Sequence, residues 1–363
     1  MKKIQIISVV GARPNFIKVA PIIKELNIAG IENILVHTGQ HYDKNMSDSF
    51  FSDLQLPEPD IFMAIGSGSH AEQTGKIMIE FEKICKKISP KLVIVAGDVN
   101  STLACSIVAA KCHISLAHVE AGLRSNDLTM PEEINRILTD RVSDILFVTE
   151  KSGINNLKNE GISPKKIHFV GNCMIDSLIT FLPKANNTMP WEKYDLKIND
   201  YMVVTLHRPS NVDKKDRLKN ILQLLNALSN RIKFIFPVHP RTQKVIENFN
   251  LDFSTNFNLV NPLPYIEFIG LMSKSLGVIT DSGGIQEETT YMGVKCITLR
   301  ENTERPITVE IGTNVLIGDD ISKLNQIIND LNKEKLHDKK IPEKWDGSAS
   351  ERIVKIIAKY LEK

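Results

Sequence analysis

Two acidic residues stand directly after aliphatic runs that have the composition of buried strands. Asp98 ends KLVIVAGD, and Glu120 follows SLAHV. Burial at a strand end can raise the pKa of a carboxyl group, so both residues are candidate proton carriers. Glu132, in MPEEINR, is a third carboxylate, but it follows Pro131 and has Arg136 as its i+4 neighbour, which is an ordinary first helical turn. From its spacing alone, Glu132 is interpreted as structural.

The stretch DSGGIQEE joins the aliphatic run LGVIT to a helix-like segment. Ser282, Gly283 and Gly284 would lie at a helix N-terminus, where free N–H groups and the helix dipole favour an anion. A diphosphate fits this description, and Glu288, one turn further on, could accept hydrogen bonds from a ribose diol. An equally good interpretation is a tight strand-to-helix turn whose two glutamates compensate the dipole.

Cations occupy the loop after the first strand. GARPNFIK places Arg13 in the loop, Pro14 at a position suited to the first helical residue, and Lys18 one turn along. Cations at a helix N-terminus oppose the dipole, so their placement needs another reason, and we favour phosphate binding. The loop lacks the GxGxxG pattern, so it does not support an NAD site.

Histidines also end apolar strands. His207 and Arg208 follow the run YMVVTL, and His118 and His239 are similarly placed. A histidine in such a position can titrate near neutrality, although many are only hydrogen-bonded core groups. We rank His207 first among them, and the remaining histidines have no metal-ligand spacing.

A scaffold must bring these strand ends together. Short β-branched runs alternate with amphipathic segments, as in KIQIISVV, NILVHTG, KLVIVAGD, SLAHVEAG, ILFVTE and IHFVGN, and again in YMVVTLH, KFIFPVH, NLVNP, LGVITDSG, VKCITLR and NVLIG. Near-continuous apolar strands followed by helices predict parallel sheets covered on both faces. Ligands bind beyond the carboxyl ends of such strands, where the polar clusters lie. We therefore predict an α/β protein with two doubly wound domains.

Length and composition bound the interpretation. A chain of 363 residues is expected to form two domains. We place the first at 1–172 and the second at 201–347, with a polar, proline-containing connection at 173–200. The formal net charge of +2 gives no support to a nucleic-acid or membrane partner. The five cysteines form no CxxC pair, which predicts reduced thiols, a cytoplasmic location and no zinc site.

Nine motifs taken together resemble one family, the non-hydrolysing UDP-N-acetylglucosamine 2-epimerases. They are, in order, GARPNFIKVAPI, TGQHYD, GDVNSTLA, HVEAGLRS, MPEEINR, VGNCMID, HRPSN, DSGGIQEE and TERP. The resemblance implies a GT-B fold with two Rossmann-like domains around a central cleft. It also implies a homodimer, no cofactor or metal, and a last helix at 348–363 that crosses back to the first domain.

The resemblance also assigns residues. It implies catalytic roles for Asp98, Glu120, Glu132, His207 and Lys18. It implies substrate contacts for Arg13, Lys18, Gln40, His41, His207, Arg208, Ser282, Gly283, Gly284, Glu288 and Arg305. The structural interpretation of Glu132 is thereby reversed. Relatives are often activated by substrate through a second site near Gln40 and His41, but Asp43 departs from that pattern, so substrate activation stays an open question here.

The reaction implied is reversible inversion at C2 of UDP-N-acetylglucosamine, through elimination of UDP to 2-acetamidoglucal and re-addition. Asp98 would be the base of the first step, and either Glu120 or Glu132 would deliver the new proton. The order of the transfers stays open. Three alternatives also stay open: a hydrolysing 2-epimerase that releases N-acetylmannosamine and UDP, a retaining GT-B glycosyltransferase, and a nucleotide-sugar sensor.

Overall fold

A computed structural model of the chain describes residues 6–40, 57–331 and 340–362. The chain divides into two compact units. The first comprises Met1–Thr180 and Glu343–Lys363, and the second comprises Phe181–Pro342. None of the helices in the described ranges combines the length and the apolarity needed to cross a membrane.

The first unit is built on a parallel sheet of seven strands. Its strands are β1 (Ile6–Val10), β2 (Asn33–His37), β3 (Ile61–Phe62), β4 (Leu92–Ala96), β5 (Ser115–Ala121), β6 (Ile145–Val148) and β7 (Ile167–Phe169). Its helices are α1 (Arg13–Ile28), α2 (His70–Ile88), α3 (Asn100–Lys111), α4 (Pro131–Val142), α5 (Lys151–Asn159) and α6 (Cys173–Asn187). The last of these extends beyond Thr180 into the second unit.

The strand order of this sheet is β3-β2-β1-β4-β5-β6-β7. Ile7 pairs with Ile34 on one side and with Val93 on the other, which places aliphatic side chains in register across three strands. Phe81 of α2 and Val108 of α3 pack on this sheet. The order reverses between β1 and β4, so a crevice for a ligand is expected where these two strands end.

The second unit repeats the plan with six parallel strands in the order β10-β9-β8-β11-β12-β13. The strands are β8 (Tyr201–Thr205), β9 (Lys233–Pro237), β10 (Phe257–Val260), β11 (Gly277–Thr280), β12 (Lys295–Thr298) and β13 (Asn314–Leu316). The helices are α7 (Pro209–Val212), α8 (Lys215–Leu228), α9 (Pro240–Glu247), α10 (Tyr265–Ser273), α11 (Gly283–Met292), α12 (Ile307–Glu310) and α13 (Lys323–Leu331). Here the order reverses between β8 and β11.

The prediction of two doubly wound parallel sheets is confirmed. Each of the twelve apolar runs overlaps a strand, and β3 is an additional strand that the pattern did not predict. It has only two residues, pairs with Val36 and His37 at the sheet edge, and is too short to show periodicity. Within 173–200, helix α6 continues to Asn187 with Pro183 inside it.

The chain ends in α14 (Ala349–Leu361), which packs against α1 of the first unit. Buried Asp176 caps this helix from α6, since its carboxylate accepts hydrogen bonds from the N–H groups of Ala349 at 3.2 Å and Ser350 at 2.7 Å. Just before the helix, the fully buried Trp345 donates its indole N–H to the carbonyl of Thr149 at 3.1 Å. These bonds anchor the C-terminal segment to the first unit.

Candidate active site

The loop between β1 and α1 is bound to the neighbouring strand end by one side chain. Asn15 accepts hydrogen bonds from the N–H groups of Gly11 at 3.1 Å and Ala12 at 2.9 Å. Its amide nitrogen donates to the carbonyl of Ala96 at 2.8 Å. Asn15 therefore joins the ends of β1 and β4, where the sheet order reverses. Sequence reasoning did not single it out, although it lies within a motif that was chosen for its cations.

Lys18 and Glu120 form a buried ion pair at the same corner. Glu120 lies where the pairing of β5 with β6 shifts by one residue, and its φ of 73° is in the left-handed region. This conformation is energetically unfavourable for a residue with a side chain. Bulges of this kind are common next to active sites, where they orient a functional side chain. A Cβ built on Gly97 would lie 3.0 Å from Lys18 Nζ and 3.4 Å from Glu120 Oε2. The pair is thus adjacent to the residue that precedes Asp98.

Asp98 is bound from α4. Its carboxylate is paired with the guanidinium of Arg136, and its main-chain oxygen accepts a hydrogen bond from Asn135 at 2.8 Å. Arg136 is itself held by the buried Glu133, with 2.5 Å between Nη2 and Oε2. Although burial raises the pKa of Glu133, hydrogen bonds from Ser125 and Arg136 hold it below its usual range. Arg136, which the spacing predicted as the i+4 partner of Glu132, therefore binds Asp98 instead.

A cavity of about 230 Å³ opens beside Asp98. Gln40, Asp98 and Glu132 line it together, which brings three predicted residues to one place. Gln40 is fixed through its carbonyl oxygen, which accepts hydrogen bonds from the main chain and hydroxyl of Ser101 at 2.9 and 2.7 Å. The remaining lining residues are Ser67, Gly68, His70, Gln73, Val99, Asn100, Pro131 and Asn135. Two predicted groups, His41 and the side chain of Arg13, lie outside the described residues.

In the second unit, His207 and Asp281 meet where β8 and β11 end. His207 Nδ1 lies 2.7 Å from Asp281 Oδ1, while the histidine side chain is 60% exposed. The fully buried carboxylate also accepts hydrogen bonds from the main-chain N–H of Arg208 and from Asn211. Burial raises the pKa of Asp281, but these donors, led by His207, hold it below its usual range. Because Nδ1 is bound to Asp281, Nε2 is the ring nitrogen that can face a ligand.

The N-terminus of α11 has the features of an anion site. Ser282 occupies the N-cap without a side-chain capping hydrogen bond, and the first turn contains no acidic residue. The two glutamates of the motif lie further along and are bound elsewhere. Glu287 Oε2 is 2.9 Å from Arg305 Nε, and Glu288 accepts a hydrogen bond from the buried Tyr265 at 2.9 Å. These contacts argue against the dipole-compensation interpretation of the motif.

Arg305 is buried against the start of α11. It pairs with Glu304 as well as with Glu287, and only 4% of its surface is exposed. A Cβ on Gly283 would lie 2.3 Å from Arg305 Nη1 and 2.5 Å from Glu304 Oε1. The glycine therefore permits the close packing of the helix start on the arginine. Arg300 also pairs with Glu304, at 2.6 Å.

A second, larger cavity of about 650 Å³ lies at the carboxyl ends of β9 and β10. Its wall includes Val238, the residues from Leu259 to Pro264, and Glu267, which accepts a hydrogen bond from Tyr194 at 2.7 Å. Sequence reasoning missed this cavity because its wall carries few chemically distinctive residues. Among the described residues of both units, no cluster of three or more His, Cys, Asp or Glu side chains has a geometry that could hold a metal ion.

Known proteins are similar to this chain over most of its length. Residues 24–358 match the family described as UDP-N-acetylglucosamine 2-epimerase. A relative from Methanocaldococcus jannaschii with that name is 44% identical over 96% of this chain and 97% of its own. The UDP-2,3-diacetamido-2,3-dideoxy-D-glucuronate 2-epimerase of Pseudomonas aeruginosa is 43% identical over 86% of this chain and 88% of its own.

Among solved structures, that of the M. jannaschii UDP-GlcNAc 2-epimerase in complex with UDP-GlcNAc and UDP is similar to this chain. Its TM-score is 0.90, with 42% identity over 98% of this chain and 99% of that one. The likeness and the two parallel sheets confirm the predicted GT-B-type fold class. A family match over most of the chain and a relative above 40% identity lead to one conclusion. This chain belongs to the UDP-N-acetylglucosamine 2-epimerase family.

Proposed function

We propose that this protein is an isomerase that interconverts UDP-N-acetylglucosamine and UDP-N-acetylmannosamine by inversion at C2. One observation carries the proposal for this chain. Glu120, paired with Lys18, lies against Gly97, the residue before Asp98, so two acidic residues lie at neighbouring strand ends. A protein that only sensed nucleotide sugars would have no need of them.

The chemistry explains why inversion needs more than a base. C2 of the sugar has no adjacent carbonyl, so its proton is not acidic while the C1–O bond is intact. If that bond breaks as the proton leaves, UDP takes the bonding electrons and a C1–C2 double bond forms. Re-addition of UDP to C1, with protonation of C2 from the other face, gives the epimer. Atoms and electrons balance without an oxidant, a reductant or a cofactor.

We assign the proton transfers to the carboxylates of the first unit. Asp98 accepts the C2 proton, because it lines the cavity of the first unit together with Gln40 and Glu132. Either Glu120 or Glu132 then donates a proton to the opposite face. In the case of Glu120, the buried ammonium group of Lys18 holds the carboxylate in place.

The second unit would hold the leaving group. The N–H groups of Gly283 and Gly284, the hydroxyl of Ser282 and the outward nitrogen of His207 are prearranged donors for the charge that develops on the departing diphosphate. Glu288, held by Tyr265, would accept hydrogen bonds from the ribose. The larger cavity, at the carboxyl ends of β9 and β10, has room for the nucleobase.

One other substrate has a specific observation in its favour. The P. aeruginosa relative, named for a UDP-diacetamido-glucuronate, is as similar to this chain as several relatives named for UDP-N-acetylglucosamine. The same elimination and re-addition would serve that sugar, since it too bears an acetamido group at C2. We place UDP-N-acetylglucosamine first because two relatives named for it, 44% and 41% identical, cover 96% and 98% of this chain.

Proton NMR in heavy water tests the proposal. The protein is incubated with UDP-N-acetylglucosamine alone, and in parallel with UDP-2,3-diacetamido-2,3-dideoxy-D-glucuronate. Epimerisation predicts deuterium at C2 and a UDP-linked mannosamine product. Free N-acetylmannosamine with UDP would indicate the hydrolysing reaction, an absence of change without an acceptor would point to a glycosyltransferase or a sensor, and turnover of the uronate alone would reassign the substrate.

Two expectations about the whole protein accompany this function. The homodimer implied by the family resemblance would appear as twice the chain mass of 40.8 kDa in sedimentation equilibrium. A cytoplasmic location stays a prediction from the unpaired cysteines.

A further inference from the structure

A buried polar network lies behind the corner that carries the candidate carboxylates. His118 on β5 is completely buried, with Nδ1 2.6 Å from Asp140 Oδ1 and Nε2 2.8 Å from the main-chain oxygen of Gly97. Asp140 on α4 is also completely buried, and its other oxygen accepts a hydrogen bond from the N–H of Gly122 at 3.0 Å. The carboxylate of Asp140 thus binds both the side chain of His118 and the main chain at Gly122.

The contacts determine the hydrogen-bonding roles of this network. Burial raises the pKa of Asp140, but His118 and Arg124 hold it below its usual range, so this group is an acceptor. The carbonyl of Gly97 can only accept. Each ring nitrogen of His118 therefore faces an acceptor oxygen. Arg124 completes the network, with Nη2 2.7 Å from Asp140 Oδ2.

The network encloses the unusual backbone of Glu120. His118 lies two residues before it and Gly122 two residues after it, and both bind Asp140. Between them the strand contains the bulge and the φ of 73°. Such a conformation persists only where surrounding contacts determine it. Asp140 provides these contacts, because it binds His118 before the bulge and Gly122 after it.

The same network reaches the turn that carries Asp98. Three successive carbonyl groups there each accept a hydrogen bond from a different element: Ala96 from Asn15, Gly97 from His118, and Asp98 from Asn135. The bond from His118 is the middle one of the three. It links the position of Asp98 to the position of Glu120.

We propose that His118 and Asp140 are positioning residues that hold Asp98 and Glu120 in the arrangement required for inversion at C2. The inference rests on the proposed function and adds two residues to it. Burying an ion pair costs desolvation that its attraction barely offsets, so stability alone is a weak reason for this network. Fixing two reacting groups relative to one another is a better reason, because a misplacement of 1 Å can reduce turnover by about 10²-fold.

The test is Asp140→Asn with a matched control. The amide has only one acceptor oxygen, so it cannot accept hydrogen bonds from both His118 and the N–H of Gly122 through separate oxygens, as the carboxylate does. Asp144→Asn is the control, because Asp144 accepts a hydrogen bond from the N–H of Leu116 at 3.1 Å, at the amino end of the same strand. We expect kcat to fall by about 10²-fold in Asp140→Asn with little change in KM, and both constants to persist in Asp144→Asn.

A double-mutant cycle separates positioning from general damage. If Asp140 acts through Asp98, the loss caused by Asp140→Asn will be much smaller in an Asp98→Asn background. A purely structural role predicts additive losses or a lower melting temperature with unchanged kcat, and either result would overturn the inference. Should Asp140→Asn fail to fold, His118→Asn, which removes the bond to Gly97, takes its place in the same cycle.

The activity of the wild-type protein distinguishes a failure of the proposed function from a failure of the inference about His118 and Asp140. A wild type that incorporates no deuterium at C2 refutes the proposed function, and the inference with it. An active wild type whose Asp140→Asn and His118→Asn variants retain kcat refutes the inference alone.

Discussion

Substitution of Gly283 by alanine tests the anion site at the start of α11. The backbone tolerates alanine, since Gly283 is not in the left-handed region, so only contacts matter. The added methyl carbon would lie 2.3 Å from Arg305 Nη1 and 2.5 Å from Glu304 Oε1, whereas real methyl carbons stay beyond 3.0 Å. The guanidinium must therefore move by about 0.7 Å. Its ion pairs leave it little room, because both partners are also buried.

The magnitude follows from that displacement. A shift approaching 1 Å in a positioning group lowers reaction rates by up to about 10²-fold. We expect kcat/KM for UDP-N-acetylglucosamine to fall between about 10-fold and 10²-fold in Gly283→Ala, or roughly 1.4 to 2.7 kcal/mol. The affinity for UDP alone, measured by titration calorimetry, should fall as well, because the first-turn N–H groups and Arg305 would no longer be aligned.

Gly75→Ala is the matched control. Gly75 lies inside α2, and a Cβ there meets no atom within 4 Å. We expect unchanged kinetics and a gain in stability of roughly 0.5–1 kcal/mol, because alanine is the better helix former. Wild-type UDP affinity and turnover in a folded Gly283→Ala variant would refute the placement of the diphosphate at this helix start.

Three other predictions concern single residues. Asp98→Asn should lower turnover by about 10²–10⁴-fold without loss of folding, and near-normal turnover would exclude it as the base. The pKa of Asp281 is lowered in the folded protein, so its contribution to stability is present above about pH 4 and is lost as the pH falls through the folded value. The free energy of unfolding, measured with urea, should therefore fall less steeply below pH 4 in Asp281→Asn than in the wild type. Equal slopes in the two proteins would contradict this. Trp345→Ala should lower the free energy of unfolding by about 3–5 kcal/mol, and a loss below about 1 kcal/mol would show that the C-terminal segment contributes little.

The sheets and their order of elements follow from local patterns. A run such as LVIVA is apolar along its whole length, so it must be buried on both faces, and only a covered parallel strand does this. The ends of such strands must then carry the polar groups, which is why Asp98, His207 and Ser282 could be named from the sequence. The two-residue strand Ile61–Phe62 escaped notice because periodicity needs more residues than it has.

The partners of those residues could not be predicted in the same way. The neighbour rule assigned Arg136 to Glu132, yet the folded chain directs it to Asp98, which is 38 residues away. His118 ranked below His207 because nothing in the spacing indicated that Asp140 would bind it. Likewise Asp281, a residue of a motif already chosen for its glycines, was not recognised as the partner of His207.

What the sequence by itself determined is therefore the type and succession of elements and the chemical groups at their ends, since both depend on residues that are near one another in the chain. What only the tertiary structure decided is the pairing of those groups. Lys18 meets Glu120 across 102 positions, and His207 meets Asp281 because β8 and β11 are neighbours in the sheet. Strand order and register bring such residues together, and neither property is written in any local stretch of the chain.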